Sequence, residues 1–101
     1  MTRVERVQEI QDITKGCPHI EDAEVNKTKH IFVKLNIVYD DEDGNIELSF
    51  FVPISFVMEY TGYQGMQLED WLEEEYDSDD SQAIFDNAIL KNMVFSPTVI
   101  L

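Results

Sequence analysis

Val4, Val7, Ile10 and Ile13 recur at three-residue steps, a spacing that predicts an amphipathic helix from about Thr2 to Lys15, stopped by Gly16 and Pro18. From Asp22 the period becomes two. Ala23 and Val25, then Ile31, Val33, Leu35, Ile37 and Tyr39, alternate with polar residues such as Lys34, Asn36 and Asp40, as strands with one buried face do. The run Asp40-Asp41-Glu42-Asp43-Gly44-Asn45 leads into Ile46, Leu48, Phe50 and Val52, which alternate again. It reads as the turn of an antiparallel hairpin, with Asp43 and Gly44 at the positions that need positive φ. A short strand near Ala23 to Asn26 would complete a three-stranded meander and bury one face of the sheet against the first helix.

Pro53 ends the second hairpin strand and can open a helix over Ile54 to Tyr60, with Gly62 at its end. Tyr63-Gln64-Gly65 reads as a loop. Leu68, Trp71, Leu72 and Tyr76 then form the stripe of a short helix, and Asp79 with Gln82 has the spacing of a capping box for a third helix through Ile84, Phe85, Ala88, Ile89 and Met93. The apolar ending from Val94 to Leu101 can pack back, add a strand or meet a partner, and it offers a surface for a dimer. The expected fold is α+β over residues 1–101: an N-terminal helix, a three-stranded antiparallel meander, then two or three short helices in a single domain.

Charge changes this picture from fold to function. Fifteen of the twenty-one carboxylates follow Val38, where only Lys91 opposes them; residues 1–38 sum to zero, and the rest carries the whole net charge of −14. A field of one sign repels nucleic acid and anionic membrane and attracts a basic surface such as a nucleic-acid-binding groove. With 44% hydrophobic residues the chain can still build a core, which an acidic disordered tail cannot. No apolar run approaches the ~18 residues of a membrane span, and the chain opens on a charged amphipathic pattern, so a cytoplasmic location is expected.

Three acidic groups separate on local grounds. Asp40, Asp41, Glu42 and Asp43 suit a hairpin tip, where turn chemistry and solubility explain them. Asp77, Asp79 and Asp80 stand where a helix should begin, which capping and the helix dipole favour. Glu69, Asp70, Glu73, Glu74 and Glu75 are different. Three of them occupy the last turn of the predicted helix, where the dipole disfavours anions, and Glu69/Glu73 and Asp70/Glu74 are like-charge pairs costing roughly 0.2–0.5 kcal/mol each. Glu75 even falls beside the Trp71/Leu72 stripe. Such unrelieved conflicts are where functional surfaces tend to lie. Helical carboxylates about 5–6 Å apart can take lysine and arginine sites that otherwise hold phosphates spaced ~1.7 Å along a duplex axis.

Catalytic and metal-binding patterns are poorly matched. Asp41, Asp43 and Gly44 fit the middle of a calcium-binding loop, but Tyr39 and Phe50 then stand where its terminal carboxylates belong. Cys17, His19 and His30 lack a zinc-ligand spacing, and a single cysteine beside a helix end is usually a small packed residue. No enzyme activity, cofactor or metal is expected. Tyr60, Tyr63, Trp71 and Tyr76 gather around the acidic helix, and any one left exposed would be an interface anchor.

The order of elements, with the Asp43-Gly44-Asn45 turn and the acidic run from Glu69 to Asp80, resembles that of small phage anti-CRISPR proteins. The resemblance implies a DNA mimic acting on a Cas nuclease and carries over no individual residue. The expected function is a non-enzymatic acidic inhibitor that occupies the basic groove of a nuclease or other DNA-binding protein, as anti-CRISPR and anti-restriction proteins do. Its partner-binding residues are expected to be Glu69, Asp70, Glu73, Glu74 and Glu75, extended by Asp77, Asp79 and Asp80, with Asp40 to Asp43 as a second patch. Direct contact with nucleic acid or membrane is not expected. The alternatives are an immunity or antitoxin-type protein that blocks a basic toxin by shape, and a phage structural or assembly protein.

Overall fold

A computed structural model describes residues 1–23 and 31–101. The first apolar repeat forms α1 (Arg3–Thr14), capped by Thr2, whose hydroxyl accepts the Glu5 N–H at 3.2 Å while Glu5 reaches back to the Thr2 N–H. Only the middle of its stripe is core. Ile10 is buried and Val7 half-buried, whereas Val4 is 78% and Ile13 46% exposed. Three-residue steps on a helix of 3.6 residues per turn wind back by about 60° each, so Val4 and Ile13 end on opposite sides.

The Thr2 hydroxyl and N–H hold the Glu5 carboxyl below the ordinary carboxylate range. A lowered value in the folded state means that its support is complete at neutral pH and is lost as pH falls through that value. Thr2→Ala should therefore cost about 1 kcal/mol by urea denaturation near pH 7, and less in acid.

The hairpin follows the predicted alternation. β1 (Phe32–Asp41) pairs with β2 (Gly44–Pro53) antiparallel, in register from Phe32↔Pro53 to Asp41↔Gly44. The turn residues are Glu42 and Asp43. Of the two positions expected to need positive φ only Gly44 has it, at 118°. Leu35, Ile37, Ile46, Leu48, Phe50 and Val52 all bury on one face, as a period of two requires.

Behind Pro53 comes α2 (Ile54–Thr61), ended by Gly62 at φ 76°, whose N–H returns to the Met58 carbonyl at 2.8 Å. Next is α3 (Gly65–Asp70), which runs directly into a π turn (Trp71–Glu75). The last helix, α4 (Ser78–Leu90), starts on a capping box made by Asp77 and Asp80 rather than by Asp79 and Gln82. It stops short of Met93 because Asn92 turns left-handed at φ 56°.

The C-terminal segment takes the second of the roles open to it. β3 (Phe95–Ile100) lies antiparallel on β2, with Leu48↔Val99 and Ser49↔Thr98, and a bulge between Ser49 and Phe51. The sheet therefore has the order β1-β2-β3, and its third strand arrives after the helices. The predicted strand at Ala23 to Asn26 lies outside the described residues beyond Ala23, which follows a 3₁₀ turn (Ile20–Asp22).

The fold is α+β, with α1, α2, the π turn and α4 bringing Ile10, Val57, Trp71, Ile84, Phe85 and Ala88 onto the buried face of the sheet. Phe50 meets Phe85 edge-to-face at 5.1 Å between ring centres. Among the described residues no helix is long and apolar enough to cross a membrane.

Candidate functional site

The five carboxylates of α3 and its π turn share an outward face. Leu68 and Trp71 are buried and Leu72 half-buried on the inner side, while Glu69, Asp70, Glu73, Glu74 and Glu75 are all exposed. None of the five makes a hydrogen bond or ion pair among the described residues.

The π turn explains how Glu75 escapes the apolar stripe. The Tyr76 N–H bonds to the Trp71 carbonyl at 3.0 Å, five residues back instead of four. Closing the helix over five residues brings Tyr76 back above Trp71, and the two rings stand 5.6 Å apart. The Tyr60 ring approaches the same indole at 6.3 Å. With both ends of the turn fixed by aromatic packing, the three residues before Tyr76 are carried to the outside together.

Asp77, Asp79 and Asp80 divide by role. The Asp77 carboxylate accepts the Asp80 N–H at 3.0 Å, and Asp80 accepts the Asp77 N–H at 3.1 Å and the Tyr60 hydroxyl at 2.8 Å. That last bond, donated to an anion, raises the Tyr60 phenol above its ordinary value. Asp79 is exposed and adds to the acidic face. Capping therefore engages two of these three aspartates.

The hairpin tip is tied to α1. The Asp41 carboxylate, 3% exposed, takes two hydrogen bonds of 3.2 Å from the Arg6 guanidinium, which also reaches Glu9 at 3.3 Å and lies 4.6 Å over the Tyr39 ring. The bond to Asp41 raises Arg6 further above its ordinary value. Asp43 accepts the Arg3 N–H at 3.2 Å, placing an anion at the helix N-terminus. Glu42 lies 3.5 Å from the Met1 amine, with its side chain 70% exposed. Asp40 faces solvent. The tip thus holds Asp41 inward, whereas Asp40, Glu42 and Asp43 are exposed, Asp43 while bonded to the start of α1.

Sequence patterns alone did not mark the Arg6–Asp41 pair, the Tyr60–Asp80 bond or the π turn, since each depends on residues brought together by packing. An exposed apolar side chain does accompany the acids. Met66 is 78% exposed, three and four residues before Glu69 and Asp70 on the same face of α3, with Tyr63 37% and Tyr60 47% exposed nearby in sequence.

Other chemistry is weakly supported. Burial pushes the Cys17 thiol up, the wrong direction for a nucleophile. Among the described residues no group of His, Cys, Asp and Glu is arranged to hold a metal ion. A cleft of about 420 Å³ between α1 and α4 contains Arg6, Glu9, Tyr39, Gln82 and Asp86. Its polar groups are already engaged: Tyr39 donates to Gln82 at 2.8 Å and Gln82 donates to Asp86 at 2.8 Å.

The fold and this face together define a small α+β domain with a segregated acidic surface. No family model, curated protein or solved structure matches the chain.

Proposed function

We propose that the chain is a non-enzymatic acidic inhibitor that imitates nucleic acid and occupies the basic groove of a nuclease or DNA-binding protein. One observation carries the reading: Glu69, Asp70, Glu73, Glu74 and Glu75 are exposed and have no partner among the described residues, on a helix and π turn packed through Trp71 and Tyr76. Anions so placed gain nothing from the helix they end, and a row of lysine and arginine side chains would relieve them. Asp79 extends the row. At the hairpin tip the exposed Asp40, Glu42 and Asp43 can contribute to a second patch, although Glu42 meets the Met1 amine and Asp43 the start of α1.

A second reading draws on Met66, Tyr63 and Tyr60. Apolar anchors beside the acids suit a protein that blocks a basic toxin by shape, where packed side chains dominate affinity. Competition separates the two. The chain, immobilised and exposed to a host lysate with and without duplex DNA, should retain a nucleic-acid-binding protein that free DNA displaces and that moderate salt elutes. Retention indifferent to DNA would overturn the mimic in favour of the toxin blocker.

A further inference from the structure

The surface opposite in character to α3 is the outer edge of β3. The Val38 N–H leaves the sheet to reach the Ser78 hydroxyl at 2.9 Å, so Val38 and Glu47 form a pair without mutual hydrogen bonds. Glu47 therefore directs its backbone groups to Ile100 on β3. By the same alternation the N–H and C=O of Val99, the C=O of Pro97 and the N–H of Leu101 point away from β2. None of them has a hydrogen-bond partner among the described residues.

Upstream the edge is closed, because the Ser96 N–H bonds to the Pro18 carbonyl at 2.9 Å and its hydroxyl accepts the Ile20 N–H at 2.8 Å. Proline, charge and covering chain are the devices that normally blunt an edge, and among the described residues they end at Pro97. Beyond it the strand has no charged side chain and is flanked by exposed apolar ones. Ile100 (46%) and Val38 (45%) lie on the open face of the sheet; Leu101 (75%) shares a shallow groove with Val4 (78%) and Val7 of α1.

We propose that this edge is a homodimer interface, occupied by β3 of a second copy running antiparallel about Val99. In that register Val99 exchanges two hydrogen bonds with the second copy's Val99, and each Leu101 N–H meets the other copy's Pro97 carbonyl. Thr98 then stands across from Ile100 of the other copy on the open face. The missing N–H of Pro97 limits the pairing to these residues.

Charge selects this occupant. Two bodies of net charge −14 approach most easily where carboxylates are sparse, and β3 has no acidic side chain. Isologous contact about a two-fold axis sets the same sparse region of each copy against the other. A basic partner, by contrast, is drawn to α3. The inference does not rest on the reading of α3, and the two respond to salt in opposite directions.

Sedimentation velocity of the full chain, up to about 0.2 mM and from about 50 to about 500 mM NaCl, tests it. The expected result is a dimer that tightens at least about threefold as salt screens the repulsion between copies. Ile100→Asp, at an exposed position, should weaken it about tenfold or more at every salt concentration, with an unchanged circular dichroism spectrum. In a Cys17→Ser background, Thr98→Cys combined with Ile100→Cys should give covalent dimers on oxidation, since directly opposed residues in this register lie within disulfide reach. A monomer under all conditions, a dimer indifferent to Ile100→Asp, or an edge that binds only a strand of another protein would overturn the proposal.

Discussion

Replacing Glu73, Glu74 and Glu75 together with Gln should lower affinity for the basic partner at least about tenfold near physiological salt, and flatten its salt dependence by about two to three units of slope. The three side chains are exposed and without a partner among the described residues, so isosteric neutralisation removes charge without opening the core. Folded stability should stay level or rise slightly, because two like-charge pairs of roughly 0.2–0.5 kcal/mol each are relieved and anions leave a helix C-terminus. Titration of the captured partner at several salt concentrations reads the first effect, and thermal denaturation the second. Affinity and slope both matching the unsubstituted chain would remove the basis for mimicry.

Asp41→Ala should do the reverse. Truncating one partner of a buried ion pair costs roughly 3–5 kcal/mol, because the remaining charge is left without compensation. Arg6 is 22% exposed and keeps Glu9 at 3.3 Å, so the cost here should be lower, about 2 kcal/mol. For a domain of this size that corresponds to a fall in Tm of about 10 °C. The salt slope of partner binding should hardly move, because Asp41 is buried against α1. A variant that keeps its Tm and loses affinity would mean that the hairpin tip serves the partner and not the fold.

These two expectations separate carboxylates that composition cannot distinguish. Along the chain Asp41 and Glu74 are equivalent: each sits in an acidic run without a basic neighbour. Arg6 reaches Asp41 from 35 positions away, so only the docking of α1 against the hairpin makes that aspartate structural. Glu74 meets no such cation among the described residues. Its exposure follows from the Trp71–Tyr76 stacking that widens the last turn, a feature that a regular 3.6-residue period does not reveal.

Much of the scaffold was legible. Period-two alternation specified the hairpin and its buried face, because a one-residue slip would expose the whole buried set, Ile46, Leu48, Phe50 and Val52, although the turn falls on Glu42 and Asp43 and not on Asp43 and Gly44. Glycine, proline and the aromatic stripe marked the helices. The third strand was less certain, since an apolar tail of seven or eight residues suits a strand, a packed coil or an interface equally well by local pattern. Its pairing with β2 depends on contacts between segments some fifty residues apart in sequence.

The sequence by itself determined the α+β class, the hairpin with its buried face and the segregation of charge, because these follow from side-chain period and the order of residues. Tertiary structure alone decided which strand completes the sheet, which acids are clasped by Arg6 or by helix caps, and which remain as an uncompensated face. The physical reason is range: periodicity and capping act over a few residues, whereas burial and ion pairing depend on which distant segments share a surface.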